Sequence, residues 1–345
     1  MKFSTIFYVI LANIKIWYLK FLNKHKSIVP YKILLNLTDL CNSRCVYCEI
    51  WKIKPKNEIN MNEIGKMFDS LNDSLIWLSL SGGEVTLVNY YYDLIDQAVA
   101  KCKNLKILAF TTNALSPGKA LEYAKYAKDK GLDVLITISL DGDEATHDQL
   151  RGIKGNYQKC EKLFSALKKE NINVTYGITV SDQNKNFIEN KYAIYREKIR
   201  AVTFVHSEGI YKIKNELSDL ALLNSMKVIY RNYLIKNIQE IIEKIHIKIS
   251  IMFLRKNREK NIIPCEVLNT SAHIMPSGEV KPCMFMSSLG NIKSEGLLEI
   301  YQSDSTNKVR EEIKKNNCPK CWMNCYSPHS IMQNPIKSFI KFFNL

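Results

Sequence analysis

Three cysteines, Cys41, Cys45 and Cys48, stand in a Cys-x3-Cys-x2-Cys run within CNSRCVYC. Thiolates grouped on one short loop are the donors that zinc and iron–sulfur clusters take. A structural zinc site is closed by four ligands, and the nearest histidine, His25, precedes the first apolar run. A cubane cluster held by three thiolates keeps one iron open to an outside ligand. The incomplete set therefore points to a cluster whose fourth iron receives a substrate or cofactor. Five more cysteines come late: Cys265 and Cys283, then Cys318, Cys321 and Cys325 in CPKCWMNC. They suffice for one further four-thiolate cluster, with a zinc ribbon as the alternative. Cys102 and Cys160 lie in helical patterns and read as ordinary buried thiols.

Six short apolar runs must position the first set: YKILLNL (31–37), LIWLSL (75–80), LKILAF (105–110), DVLITISL (133–140), INVTYGITV (172–180) and IRAVTFV (199–205). Their Ile, Val and Leu content suits parallel strands buried on both faces. Helix-length segments separate them. Asn60 with Glu63 forms a capping-box pattern, Ser116 precedes a proline at a first helical position, and Gly131 closes the following helix. Repeated β-α units of this kind imply an α/β fold with a partial (β/α)6 TIM-like barrel. The polar motifs then fall in one place. The cysteine loop follows the first strand, SGGE (81–84) the second, TTN (111–113) the third, DG (141–142) the fourth, SDQN (181–184) the fifth and HSEG (206–209) the sixth. Loops at the C-terminal ends of barrel strands converge on one mouth, which argues for an enzyme.

The chain has 345 residues and a formal charge of +15, but only eight of its 49 basic residues are Arg. Scattered Lys among Asn and Ile is not the Arg-rich patch of phosphate recognition, so no specific nucleic-acid partner is expected. FSTIFYVILANI (3–14) is interrupted by Lys15 and Lys20 before it could span a bilayer. No signal-peptide cleavage site follows it, and a cytoplasmic location is expected. Both terminal stretches, 7–22 and 335–345, mix bulky apolar residues with Lys. They pack on the barrel or leave peripheral membrane contact open.

The cysteine loop after the first strand resembles the signature of the radical S-adenosylmethionine (SAM) superfamily. That resemblance implies a [4Fe–4S] cluster whose unique iron binds SAM. It also implies reductive cleavage to a 5′-deoxyadenosyl radical that abstracts hydrogen from a substrate. SGGE resembles the family's Gly-Gly-Glu motif, placing Ser81, Gly82, Gly83 and Glu84 at SAM, with Glu84 on its ammonium. Tyr47 takes the aromatic position near adenine, and Asn113 joins the cofactor contacts. SLDGDEATHDQLRG (139–152) resembles a segment of the peptide-modifying branch, with Ser139 and Asp141 facing SAM and Arg151 pairing with its carboxylate. The late cysteines resemble the SPASM and twitch auxiliary-cluster domains, with Cys265, Cys283, Cys318 and Cys321 as ligands and Cys325 spare or substituting. The implied organisation is an N-terminal amphipathic helix (1–28), a radical SAM core (29–210), a helical connector (211–260), a small cysteine-rich SPASM/twitch-like domain (261–330) and an amphipathic tail (331–345). A low-potential donor of flavodoxin or ferredoxin type is implied as electron source. The substrate is a peptide, or a small carbohydrate, alcohol or lipid-linked molecule. The alternative is a non-catalytic iron–sulfur or zinc protein on the same barrel.

Overall fold

The computed structural model describes residues 2–211 and 219–343. Helix α1 (Phe3–Phe21) leads into alternating elements: β1 (Lys32–Asn36), α2 (Met61–Ser70), β2 (Trp77–Ser81), α3 (Tyr91–Lys101), β3 (Ile107–Thr112) and α4 (Pro117–Asp129). The alternation continues with β4 (Asp133–Ser139), α5 (Glu144–Arg151), α6 (Asn156–Lys169), β5 (Asn173–Val180), α7 (Lys185–Tyr195) and β6 (Ile199–Phe204). Two longer helices follow, α8 (Asp219–Asn232) and α9 (Ile238–Arg255). Residues 212–218 of the expected connector lie outside the described residues. The last part holds α10 (Val267–Thr270), β7 (Ser271–Ile274), β8 (Glu279–Lys281), β9 (Gly290–Asn291), α11 (Leu297–Gln302), α12 (Asp304–Lys314), α13 (Ser327–Gln333) and α14 (Pro335–Phe343).

The nine strands of the described residues form one sheet, ordered β6-β5-β4-β3-β2-β1-β7-β8-β9. Strands β1 to β6 are parallel, the arrangement that β-α repeats impose. The sheet does not close, so the barrel is partial. The cysteine-rich part joins this sheet: β7 pairs in parallel with the outer edge of β1, Lys32 opposite Ser271 and Leu35 opposite Ile274. An unpaired β1 edge would leave buried backbone groups without partners; β7 satisfies them and brings the second cysteine set beside the first.

Local signals account for the element ends. Asn60 and Glu63 make both bonds of the capping box on α2. Pro117 opens α4, but Ser116 makes no side-chain cap bond. Burial differs from expectation. Strand β1 is buried throughout, whereas β2, β4 and β5 alternate between buried and half-buried positions. The half-buried face looks into the barrel lumen, where Ala109, Leu135, Thr137, Thr175 and Ala201 border a cavity of about 510 Å³. Helix α1 lies under the N-terminal ends of the strands, packing Val9 and Ile16 with Tyr31, Ile76 and Ile107.

Candidate cluster and cofactor site

The cysteine loop is held from two sides by backbone. On one side the turn after β2 presses against it: Gly83 N donates to Thr38 O at 2.6 Å and Glu84 N to Leu40 O at 2.8 Å. Side chains cannot fit there. A Cβ on Gly83 would stand 1.9 Å from Leu40 O, and Gly82 has φ +122° with its Cβ position 2.5 Å from Thr38 O. The two glycines therefore allow two loops to meet, rather than only a ligand to approach. On the other side Arg44 N donates to Arg151 O and Val46 N to Leu150 O, both at 3.0 Å. Gly152, left-handed at φ +67°, ends α5 where a Cβ would meet Arg44 O at 2.6 Å.

A cavity of about 460 Å³ opens above this loop. Its walls include Cys41, Cys45, Cys48, Tyr47, Ser81, Gly82, Gly83, Glu84, Asn113, Ser139 and Arg151. Glu84 is buried and accepts four bonds. Oε1 takes Thr86 N at 3.2 Å and the Thr86 and Thr112 hydroxyls at 2.8 Å each; Oε2 takes Asn113 N at 2.8 Å. Burial still raises its pKa, against those bonds. Asn113 also donates to Asn42 Oδ1 at 2.8 Å, tying the β3 rim to the cysteine loop. Asp141 is placed differently from the expectation that it faces SAM. It is fully buried behind the wall, paired with Arg151 Nε at 2.6 Å, and accepts from Thr179 N at 2.9 Å and from the Tyr47 hydroxyl. Arg151 is thus anchored on Asp141 and turns Nη1 toward Cys45 Sγ at 3.6 Å.

The opposite wall comes from the β7–β8 region and the β6 loop: Tyr211, Met275, Ser277, Glu279, Lys281 and Met284. Sequence reasoning singled out none of these: β7 pairing on β1 brings Met275, Ser277, Glu279, Lys281 and Met284 to the mouth, and Tyr211 lies two residues past the HSEG rim motif. Thr112 was within reach, since TTN was already placed on the rim, but its bond to Glu84 is visible only in three dimensions. Farther along, Cys265, Cys283, Cys318 and Cys321 line one cavity, and Cys325 is not on it. Cys321 donates to Cys283, which lowers Cys283 and raises Cys321. Burial pushes Cys48 up to about 11 and Cys265 and Cys325 up to about 12. Burial raises the Tyr211 hydroxyl, and the charges that Cys48 and Cys325 would carry add to that. Among the described residues, no group of three or more Cys, His, Asp or Glu side chains converges to hold one metal ion.

The family model of the radical SAM superfamily matches residues 35–189, and that of the SPASM iron–sulfur cluster-binding domain matches 265–326. The chain thus carries a radical SAM domain followed by a SPASM domain. It is 28% identical over 166 residues to the sporulation killing factor maturation protein SkfB of Bacillus subtilis, covering 48% of this chain and 39% of SkfB. It is 30% identical over 179 residues to Fe-coproporphyrin III synthase of Methanosarcina barkeri, covering 50% of this chain and 43% of that protein. The chain thus spans under half the length of these curated relatives. Its fold is similar to native anSMEcpe with bound AdoMet and Kp18Cys peptide, at TM-score 0.64 and 18% identity, covering 91% of this chain and 96% of that one. The radical SAM domain implies a [4Fe–4S] cluster and SAM, and the SPASM domain an auxiliary iron–sulfur cluster.

The residues present fit these groups. Glu84 is a buried carboxylate with no Lys or Arg partner among the described residues, which suits an incoming ammonium. The cavity lies within the size range of small-molecule sites. The thiols raised by burial need a metal's charge to ionise.

Proposed function

We propose that this protein is a radical SAM enzyme that takes a hydrogen atom from a peptide substrate. The observation that carries the reading is the shared cavity, with Cys41, Cys45, Cys48 and Glu84 on one wall and Met275, Lys281 and Met284 on the other. A substrate held there lies between the two thiol sets, where positioning does much of the catalytic work. Cys41, Cys45 and Cys48 would each hold one iron, leaving the fourth for SAM; Cys265, Cys283, Cys318 and Cys321 would hold the auxiliary cluster. When bound, cluster and SAM supply one-electron chemistry, with the electron coming from a low-potential donor of flavodoxin or ferredoxin type.

The chain's own residues do the rest. Thr86, Thr112 and Asn113 hold the Glu84 carboxylate, which would receive the ammonium of SAM. Asp141 and Tyr47 fix Arg151, so that its positive charge stays beside Cys45. Ser81, Gly82, Gly83 and Ser139 line the cavity and would shape the wall for SAM. Trp51, Ile53 and Tyr211 add apolar surface that excludes water.

Two similarities support a peptide substrate: SkfB is named a maturation protein, and the anSMEcpe structure holds a peptide. The test is anaerobic. Protein reconstituted with iron and sulfide is given SAM and dithionite, and 5′-deoxyadenosine is measured with and without short peptides encoded near the gene. A peptide that raises deoxyadenosine and changes mass supports the reading. No deoxyadenosine from fully loaded protein sinks the radical chemistry. Stimulation by a tetrapyrrole such as coproporphyrin III, with none by peptides, sinks the peptide.

A further inference from the structure

We propose that α1 and α14 together form a docking face for a membrane surface carrying anionic headgroups. Helices that pack on a soluble core turn their apolar stripe inward. These two turn much of theirs outward. In α1, Thr5 and Asn13 are buried alongside Val9 and Ile16, while Phe7, Ile10, Leu11, Ile14, Tyr18 and Phe21 are exposed, Phe21 by 84%. Asn13 is committed to the interior, donating to Val9 O at 2.7 Å and to the Tyr31 hydroxyl at 3.1 Å and accepting from Gln333 Nε2 at 2.7 Å. In α14, Ser338 is buried and donates to Ile331 O at 3.3 Å. Its apolar residues Ile336, Phe339, Ile340 and Phe343 are exposed, Ile336 by 75%.

The two faces adjoin. Both helices pack on α13. Trp17 Nε1 donates to Gln333 O at 2.9 Å, two residues before α14 begins. Lys20 of α1 and Asn334 reach the same Glu266 carboxylate oxygen, at 2.8 and 3.3 Å.

Charge selects the occupant. Helix α1 carries Lys15 and Lys20 and α14 carries Lys337 and Lys341, and neither helix contains Asp or Glu. Lys20 and Lys26 pair with Glu266 and Asp304, and Lys32 is buried. Lys15, Lys24, Lys337 and Lys341 have no acidic partner among the described residues. Basic side chains beside exposed Phe, Trp and Ile are the composition of helices that lie in a lipid interface and are drawn to anionic lipid. A second copy of the chain would set these cations against their like, which costs affinity. No described helix is long and apolar enough to cross a membrane, so the contact is peripheral. Helix α1 lies under the N-terminal ends of the strands, and the cavity opens on the loops beyond their C-terminal ends. Docking therefore leaves the mouth clear.

The test is flotation of the purified full chain with vesicles of phosphatidylcholine alone or with a third phosphatidylglycerol, at low salt. Binding is expected to the mixed vesicles, far less to neutral ones, and to weaken in high salt as the charges are screened. Each Lys near an anionic surface is worth about fivefold in affinity. Lys337→Gln with Lys341→Gln should thus weaken binding about thirtyfold. Phe339→Ser with Phe343→Ser should lower it by more than about tenfold, with an unchanged thermal melt showing that the chain is folded. Absence of wild-type binding to the mixed vesicles overturns the proposal. So does equal binding to both compositions, or wild-type binding by both α14 variants. A wild-type dimer in light scattering that the Phe pair splits would assign the face to a second copy and overturn it too.

Discussion

Replacing Glu84 by Gln separates holding the carboxylate from using its charge. Glu84 accepts three bonds at Oε1 and one at Oε2. A glutamine carbonyl in the Oε1 place keeps the three from Thr86 and Thr112. Its amide then meets Asn113 N–H donor to donor, and the lost bond costs about 1–3 kcal/mol. The substitution also removes a buried charge whose desolvation raises the pKa, a gain of similar size. The apoprotein's stability should therefore change by less than about 2 kcal/mol. In the proposed role of Glu84, the SAM ammonium would by contrast lose a charge-assisted contact worth about 1.5–3 kcal/mol, or roughly tenfold to a hundredfold in affinity. Anaerobic calorimetry of SAM binding to reconstituted wild type and variant measures this, with iron content and visible absorbance confirming equal cluster loading. The ionised carboxylate is the binding form, and burial raises its pKa above the ordinary 4.5. Wild-type affinity should consequently weaken as pH falls toward that raised value, and the variant should lack this slope. A variant SAM affinity within twofold of wild type, at equal iron, would refute the role of Glu84.

Iron counting tests the two thiol sets: the wild type should load about eight irons, and Cys41→Ala, Cys45→Ala and Cys48→Ala combined about half. In that background Cys321→Ala should remove most of the remaining iron and Cys325→Ala should not, because Cys325 is off the four-thiol cavity; stoichiometric zinc in place of iron would contradict the auxiliary assignment. Gly83→Ala should destabilise the chain by about 2–4 kcal/mol in urea unfolding, because a methyl group 1.9 Å from Leu40 O breaks two loop–loop bonds; a loss under about 1 kcal/mol would mean that the loops part freely. Glu243, beside the lumen cavity, is raised to about 7 by burial. A raised folded pKa contributes stability that is fully present below pH 4.5 and is lost as pH rises through about 7. After discounting for solvent in the cavity, Glu243→Gln should remove about 2 kcal/mol of that pH dependence; unchanged slopes between pH 5 and 8 in chemical denaturation would disprove it.

Much of the site was legible because its signals are local. The six parallel strands follow from short Ile, Val and Leu runs, each of which coincides with an observed strand to within two residues at either end. The rim motifs follow from their place after those runs. The family resemblance also rests on short stretches, the cysteine run, SGGE and the late cysteines. Contacts far apart in sequence were not legible. Asp141 looked like a rim residue, yet Arg151, Tyr47 and Thr179 enclose it. Ser116 had the composition of a cap, but its side chain makes no cap bond.

Sequence alone determined the chemistry on offer: which thiols exist, how they are spaced, and that one set is short of a ligand. Spacing within a loop and periodicity within an element depend only on neighbours along the chain, so they survive without a structure. Tertiary structure decided what those groups face. Strand β7 could have paired elsewhere, but the β1 edge needs hydrogen-bond partners, and meeting that need makes the second region the far wall of the cavity. The same holds for α1 and α14. Their composition was plain in sequence, but which side of each helix meets the core is a matter of packing, and packing left much of the apolar side outward.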